Sequence, residues 1–156
     1  MKSGHSWSSR FPGTLSGITE AAGWIDGLAS AQGFPDDLTF GIQLCVEELL
    51  ANVVRHGGGG WPGAAEPASG DAITMSLAIS IADGAVTVTV EDNGKPFDTA
   101  AAPASPVTKP LEEATPGGLG IQLIKQFSQE LAYERSGGLN RTTLKFLWPR
   151  TADSLL

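Results

Sequence analysis

Glu48, Asn52 and His56 stand at positions i, i+4 and i+8 of a segment with helical periodicity. On a helix that spacing sets them in one line, beside the apolar stripe rather than within it. A carboxylate can serve as a general base, and an amide oxygen can ligate a hard cation such as Mg²⁺. Taken alone, the line also reads as the solvated face of an amphipathic helix. His56, in the last turn where a cation suits the helix dipole, reads as a cap or a packing contact.

Two glycine-containing loops follow. In the first, Asp92-Asn93-Gly94-Lys95-Pro96-Phe97-Asp98 leaves a strand. A carboxylate there can accept a hydrogen bond from an exocyclic amine such as that of adenine, and Gly94 lets the backbone approach a flat ring. Asp-Asn-Gly is equally a plain turn former. In the second, Gly117-Gly118-Leu119-Gly120 opens a helix, where free N–H groups and the dipole suit phosphates. A flexible hinge is the ordinary alternative. No Gly-Lys-Ser/Thr follows, so this is not a Walker loop, and no strand and crossover helix frame it as a dinucleotide fingerprint requires.

The elements that must hold these groups can be read from periodicity. A first strand ends near Phe11-Pro12-Gly13. Thr14 or Ser16 caps a helix with Leu15, Ile18, Ala22, Ile25 and Leu28 at helical spacing, ended by Gly33-Phe34-Pro35. A second helix starts near Pro35 with Asp36 and Asp37 in its first turn. It buries Ile42, Val46, Leu49 and Val53, and stops at Gly57. Residues Trp61 to Gly70 read as loop. Alternation in Ile73, Met75, Leu77, Ile79 and Ile81, and again in Val86, Val88 and Val90, predicts two strands joined at Asp83-Gly84. Ala100 to Pro116, rich in proline and alanine, is too long a loop to be ordinary. A third helix carries Ile121, Leu123, Ile124 and Phe127, and two strands lie near Glu130–Arg135 and Arg141–Trp148. The expected fold is an α/β (α+β) two-layer sandwich, with a mixed, mostly antiparallel sheet packed by about three helices.

The totals agree with one domain over residues 1–150 and a frayed tail at 151–156. The chain has 156 residues, 41% of them hydrophobic, and a formal charge of -7. That charge disfavours a nucleic-acid binder. A single cysteine, Cys45, gives no internal disulfide. No run of apolar residues is long enough for a signal peptide or a membrane span. A cytoplasmic protein with no membrane contact is the expectation.

In this order, the three motifs resemble those of the GHKL superfamily, whose Bergerat fold binds ATP. Glu48-Leu49-Leu50-Ala51-Asn52 is similar to its N box, Asp92-Asn93-Gly94 to its G1 box, Gly118-Leu119-Gly120 to its G2 box, and Thr142-Thr143-Leu144 to its closing strand. The continuation to His56-Gly57, the Gly94-Lys95-Pro96-Phe97-Asp98 loop and Tyr133-Glu134-Arg135 resemble the bacterial anti-sigma factor serine kinases of the RsbW and SpoIIAB type. The resemblance implies ATP and Mg²⁺, with Asn52 ligating the metal and Glu48 as catalytic base. It implies that Asp92, Gly94 and Thr142 lie at the adenine and Gly118 and Gly120 at the phosphates beneath a lid at about 99–116, with Phe97 and Leu119 also among the ATP-binding residues. It further implies phosphorylation of a serine on an anti-anti-sigma (STAS-domain) partner, and sequestration of a sigma factor otherwise. Pairing into a homodimer is common in that family, and the first strand and helix offer surfaces for it. Two other readings share the motifs: a regulatory ATP-binding switch with little kinase activity, towards which a lid with Lys109 as its one basic residue leans, and a detached histidine-kinase-like ATPase domain.

Overall fold

The computed structural model describes residues 4–57, 72–97 and 120–148. The elements run β1 (His5–Pro12), α1 (Leu15–Gln32), α2 (Asp36–Gly57), β2 (Thr74–Ala82), β3 (Ala85–Asp92), α3 (Gly120–Phe127), β4 (Glu130–Ser136) and β5 (Leu139–Leu147). The expected Trp61–Gly70 loop, Gly117 to Leu119, the whole 99–116 lid and the 151–156 tail lie outside the described residues.

The helices begin and end where their chemistry dictates. Thr14 caps α1 by accepting a bond from Gly17 N–H at 3.2 Å, which satisfies one of the orphan donors of the first turn. Gly33, at φ 72°, ends it in the left-handed cap. Helix α1 buries Ala21, Ile25 and Ala29, while Leu15 is 48% exposed. The buried line is thus rotated from the expected one, because small residues let the helix lie close to its neighbours. Asp36 and Asp37 do occupy the first turn of α2. Its buried face is wider than expected and takes in Cys45, Leu50 and Val54 beside Ile42, Val46 and Leu49. Val53 is only partly buried, because it has turned towards the pocket described below. In α3, Ile124 is buried, but Phe127 is 38% exposed and meets Phe40 edge-on at 6.2 Å.

The strands form one five-stranded sheet in the order β1-β2-β3-β5-β4. A mixed, mostly antiparallel sheet was expected; all neighbouring pairs here are antiparallel. The β2–β3 hairpin closes at Asp83 and Gly84, with φ values of 52° and 73°, the left-handed pair that a two-residue turn demands. Met75, Leu77, Ile79, Val86, Val88, Val90, Leu144 and Phe146 are buried on one face and share a core with the helices. The result is the two-layer α+β sandwich. Register then sets the site: Val90 pairs with Thr142, and Asp92 with Asn140. Residues two apart on a strand share a face, so these four meet the C-terminal half of α2 together.

Candidate functional site

A pocket lies between α2 and the β3–β5 ladder. It is lined by Leu49, Asn52, Val53 and His56 from the helix, and by Val90, Asp92, Asn140 and Thr142 from the sheet, with Lys95 and Phe97 from the loop after β3. Asn52 is 3% exposed and Asp92 8%. The middle of the polar line on α2 is therefore not solvated: Asn52 is buried and Glu48 half-buried, while His56 at the end is exposed.

At the strand end, Asp92 Oδ1 accepts from Gly94 N–H at 2.9 Å and from Asn140 Nδ2 at 3.0 Å. Burial pushes the Asp92 carboxyl above its ordinary range, while Asn140, Gly94 and Arg135 pull it back by stabilising the charged form. The loop after Asp92 is held on both sides. Asn93 accepts from Thr74 N–H at 2.8 Å and donates to Ala72 O at 3.1 Å. Arg135 Nη1 donates to Gly94 O at 3.1 Å. Thr142, on β5, is buried on the same face of the sheet as Asp92 and lines the same pocket.

At the helix end, Glu48 Oε2 and Asn52 Nδ2 are buried without a hydrogen-bond partner among the described residues. Such groups cost about 1–3 kcal/mol each when left unmet, and so mark a place built for something else. Burial raises the Glu48 carboxyl, Arg55 lowers it and Glu47 raises it. A raised carboxylate is the better proton acceptor near neutral pH. Asn52 Oδ1 accepts from Arg55 Nη1 at 3.1 Å.

An amide oxygen is a suitable hard donor for Mg²⁺, which takes few protein ligands and fills its shell with waters and phosphate oxygens. The residues present fit that ion: one buried amide oxygen, currently satisfied by a cation, with an unpaired carboxylate oxygen one turn away. For the metal to bind there, the Arg55 guanidinium must leave Asn52 Oδ1.

His56 stacks on Phe97 with ring centroids 4.3 Å apart and planes 14° from parallel. Burial, then Arg55, lowers its imidazole below the ordinary value. This is a packing contact, as the sequence implied. The stack narrows the pocket, leaving a cavity of about 20 Å³, room for one water molecule rather than a purine. A flat base enters only if this aromatic pair moves aside.

Of the residues singled out by the sequence, Asn52, Asp92, Phe97 and Thr142 line one pocket. Gly94 is joined to Asp92 through its N–H, and Glu48 lies one turn before Asn52 on α2. Gly120 begins α3, while Gly118 and Leu119 are outside the described residues. Sequence reasoning missed Asn140. The signal was present: an asparagine inside a strand is a poor strand former, and it stands two residues before Thr142, on the same face.

Residues 11–146 match the model of the histidine kinase-like ATPase domain family. The chain belongs to that family. Among its relatives is the serine/threonine-protein kinase BtrW of Bordetella bronchiseptica, 31% identical over 131 residues, which are 84% of this chain and 86% of that protein. The serine-protein kinase RsbW of Halalkalibacterium halodurans is 28% identical over 134 residues, covering 83% and 76%. The fold is shared with the solved RsbU and RsbW domains of a Mycobacterium tuberculosis protein, at a TM-score of 0.61 and 17% identity. That alignment takes in 95% of this chain but 34% of the larger one. Membership makes nucleotide binding the natural use of the pocket. Among the described residues no helix is long and apolar enough to cross a membrane.

Proposed function

We propose that this chain is a Mg-ATP-dependent protein serine/threonine kinase. Its acceptor is a serine on a small anti-anti-sigma protein of the STAS type, and it holds a sigma factor while that antagonist is not bound. The observation that carries the nucleotide part is Asp92: a buried carboxylate whose two hydrogen bonds to the described residues fall on one oxygen, at the base of a pocket shared with Asn52 and Thr142. Oδ2 is left to accept from the exocyclic amine of adenine. Kinship with two serine kinases over most of the chain supports the transfer activity and the class of partner.

In this reading Gly94 gives the ring room, Phe97 covers it and Thr142 adds a hydroxyl beside the amine. The family resemblance assigns Gly118, Leu119 and Gly120 to the phosphates and residues 99–116 to the lid. Asn52 Oδ1 ligates the metal, which when bound supplies electrostatic stabilisation of the phosphoryl oxygens. Glu48 orients the acceptor serine and takes its proton. The serine oxygen bonds to the γ-phosphorus, the bond from that phosphorus to the bridging oxygen breaks, and its electron pair leaves with ADP. Most of the acceleration comes from position and electrostatics.

Binding is tested by thermal unfolding with and without Mg-ATP. Nucleotide at about 100 times its Kd adds about 2.7 kcal/mol of stability, an easily read rise in the midpoint. Asp92→Ala should abolish that rise, with a loss of nucleotide affinity of about 100-fold or more, because buried donors are left unpaired around the base. No rise in the wild type at millimolar nucleotide would sink the proposal. Labelled ATP incubated with candidate STAS proteins tests transfer. A chain that binds but never transfers is a switch rather than a kinase.

A further inference from the structure

Asn140 is 3% exposed and reaches partners on three segments. Its Nδ2 donates to Asp92 Oδ1 at 3.0 Å, Lys95 O at 2.7 Å and, at longer range, Gly94 O at 3.4 Å. Its Oδ1 accepts from the Tyr133 hydroxyl and from Arg135 Nη1, the latter at 3.0 Å. The orientation of this amide is fixed by chemistry. A guanidinium only donates, and backbone carbonyls only accept. Turned over, the amide would set its oxygen against Lys95 O and its NH₂ against Arg135.

We propose that Asn140 is a positioning residue for base recognition, which locks the Asp92 carboxylate so that one oxygen is taken internally and the other is kept for the exocyclic amine of an adenine nucleotide. Tyr133 and Arg135 hold Asn140, and Arg135 also grips Gly94 O. The β4–β5 hairpin thereby clamps the loop whose backbone faces the ring. The clamp makes selectivity a matter of preorganisation. Asp92 neither rotates to satisfy itself elsewhere nor turns its free oxygen away from the base. The inference rests on the nucleotide reading above and adds the residue that sets its selectivity for the amine.

The test compares Kd values for ATP and for purine riboside triphosphate, which carries hydrogen in place of the amine. Wild type should prefer ATP. Asn140→Leu, similar in volume, should weaken ATP about tenfold, the scale of one lost or misplaced hydrogen bond, and leave the analogue nearly unchanged, so that the preference collapses. Tyr133→Phe removes one support and keeps the ring. It should lower ATP affinity about threefold with the same asymmetry, a smaller loss because one of two supports remains. This variant decides the matter should Asn140→Leu fail to fold. Equal weakening of both nucleotides, or no change in either, would make Asn140 a structural residue only and overturn the clamp. A wild type that binds neither nucleotide would overturn the proposed function, and this inference with it. A wild type that binds both while the variants move them alike overturns the clamp alone.

Discussion

Among the described residues, at the strand end of the pocket Asp92 accepts two hydrogen bonds and Asn140 reaches five partners, whereas at the helix end Glu48 Oε2 and Asn52 Nδ2 are buried with none. The hydrogen bonds of the strand end are in place before any ligand arrives, although the His56–Phe97 stack has still to open for a base. The helix end has bonding capacity still to be used. The difference suits the two halves of a nucleotide. A base is neutral and rigid, and a rigid, satisfied site selects it well. Phosphates bring charge and a metal, so groups that face them are best left unsatisfied until they arrive, and the unmet polar atoms then gain partners on binding.

The largest break in this comparison should come at the helix end, in the chemical step. Glu48→Gln is expected to slow phosphoryl transfer by about 10²–10⁴-fold, the range for a lost general base, while Mg-ATP affinity stays within about threefold. Transfer to a STAS partner and nucleotide titration, run on the same preparation, read both quantities. Unchanged transfer would show that Glu48 is not the base. Next in size is Asn52→Ala. It should weaken Mg-ATP about tenfold or more and leave ATP in a chelator nearly as before, since only the metal loses a ligand. Asp92→Ala, by contrast, should weaken both forms alike. If Asn52→Ala behaved as Asp92→Ala does, the division of the pocket into a base end and a metal end would fail.

Much of this was legible in the sequence because local chemistry and global fold agree. Thr14, Gly33 and Asp83-Gly84 mark boundaries by their own backbone preferences, and alternation in Met75-Leu77-Ile79 and Val86-Val88-Val90 marks the inner face of the sheet. Asn52 and Asp92 were legible as a pair only because the glycine motifs came in a fixed order. What escaped depends on distance in space. The face of α1 is set by how closely Ala21 and Ala29 allow it to pack, which a count of large apolar residues does not weigh. Asn140 lies 48 residues from the carboxylate it holds, and only the β3–β5 register brings the two opposite. The Arg55 contact with Asn52 was missed for a different reason. It lies within one helix turn, yet its meaning depends on that face being buried.

The smallest effect sharpens the comparison through stability. Burial raises the Glu48 carboxyl from an ordinary value of 4.5, with Arg55 opposing and Glu47 adding to the rise. A folded pKa above the unfolded one means that the native state holds this proton more tightly. The group's contribution to stability is therefore complete below about pH 4.5 and is lost as pH rises through the folded value. At pH 7 the wild type carries a cost that Glu48→Gln lacks. The variant should unfold at a higher temperature, by no more than the roughly 2–4 °C that 1 kcal/mol produces in a domain of this size, and the gap should close as the pH is lowered towards 4.5. Asp92→Asn should gain less at pH 7, because Asn140 and Gly94 favour the charged carboxylate that it replaces. Parallel melts of wild type and both variants between pH 4.5 and 7.5 measure this directly. A larger gain at Asp92 than at Glu48 would mean that the strand end, for all its hydrogen bonds, is the less satisfied of the two.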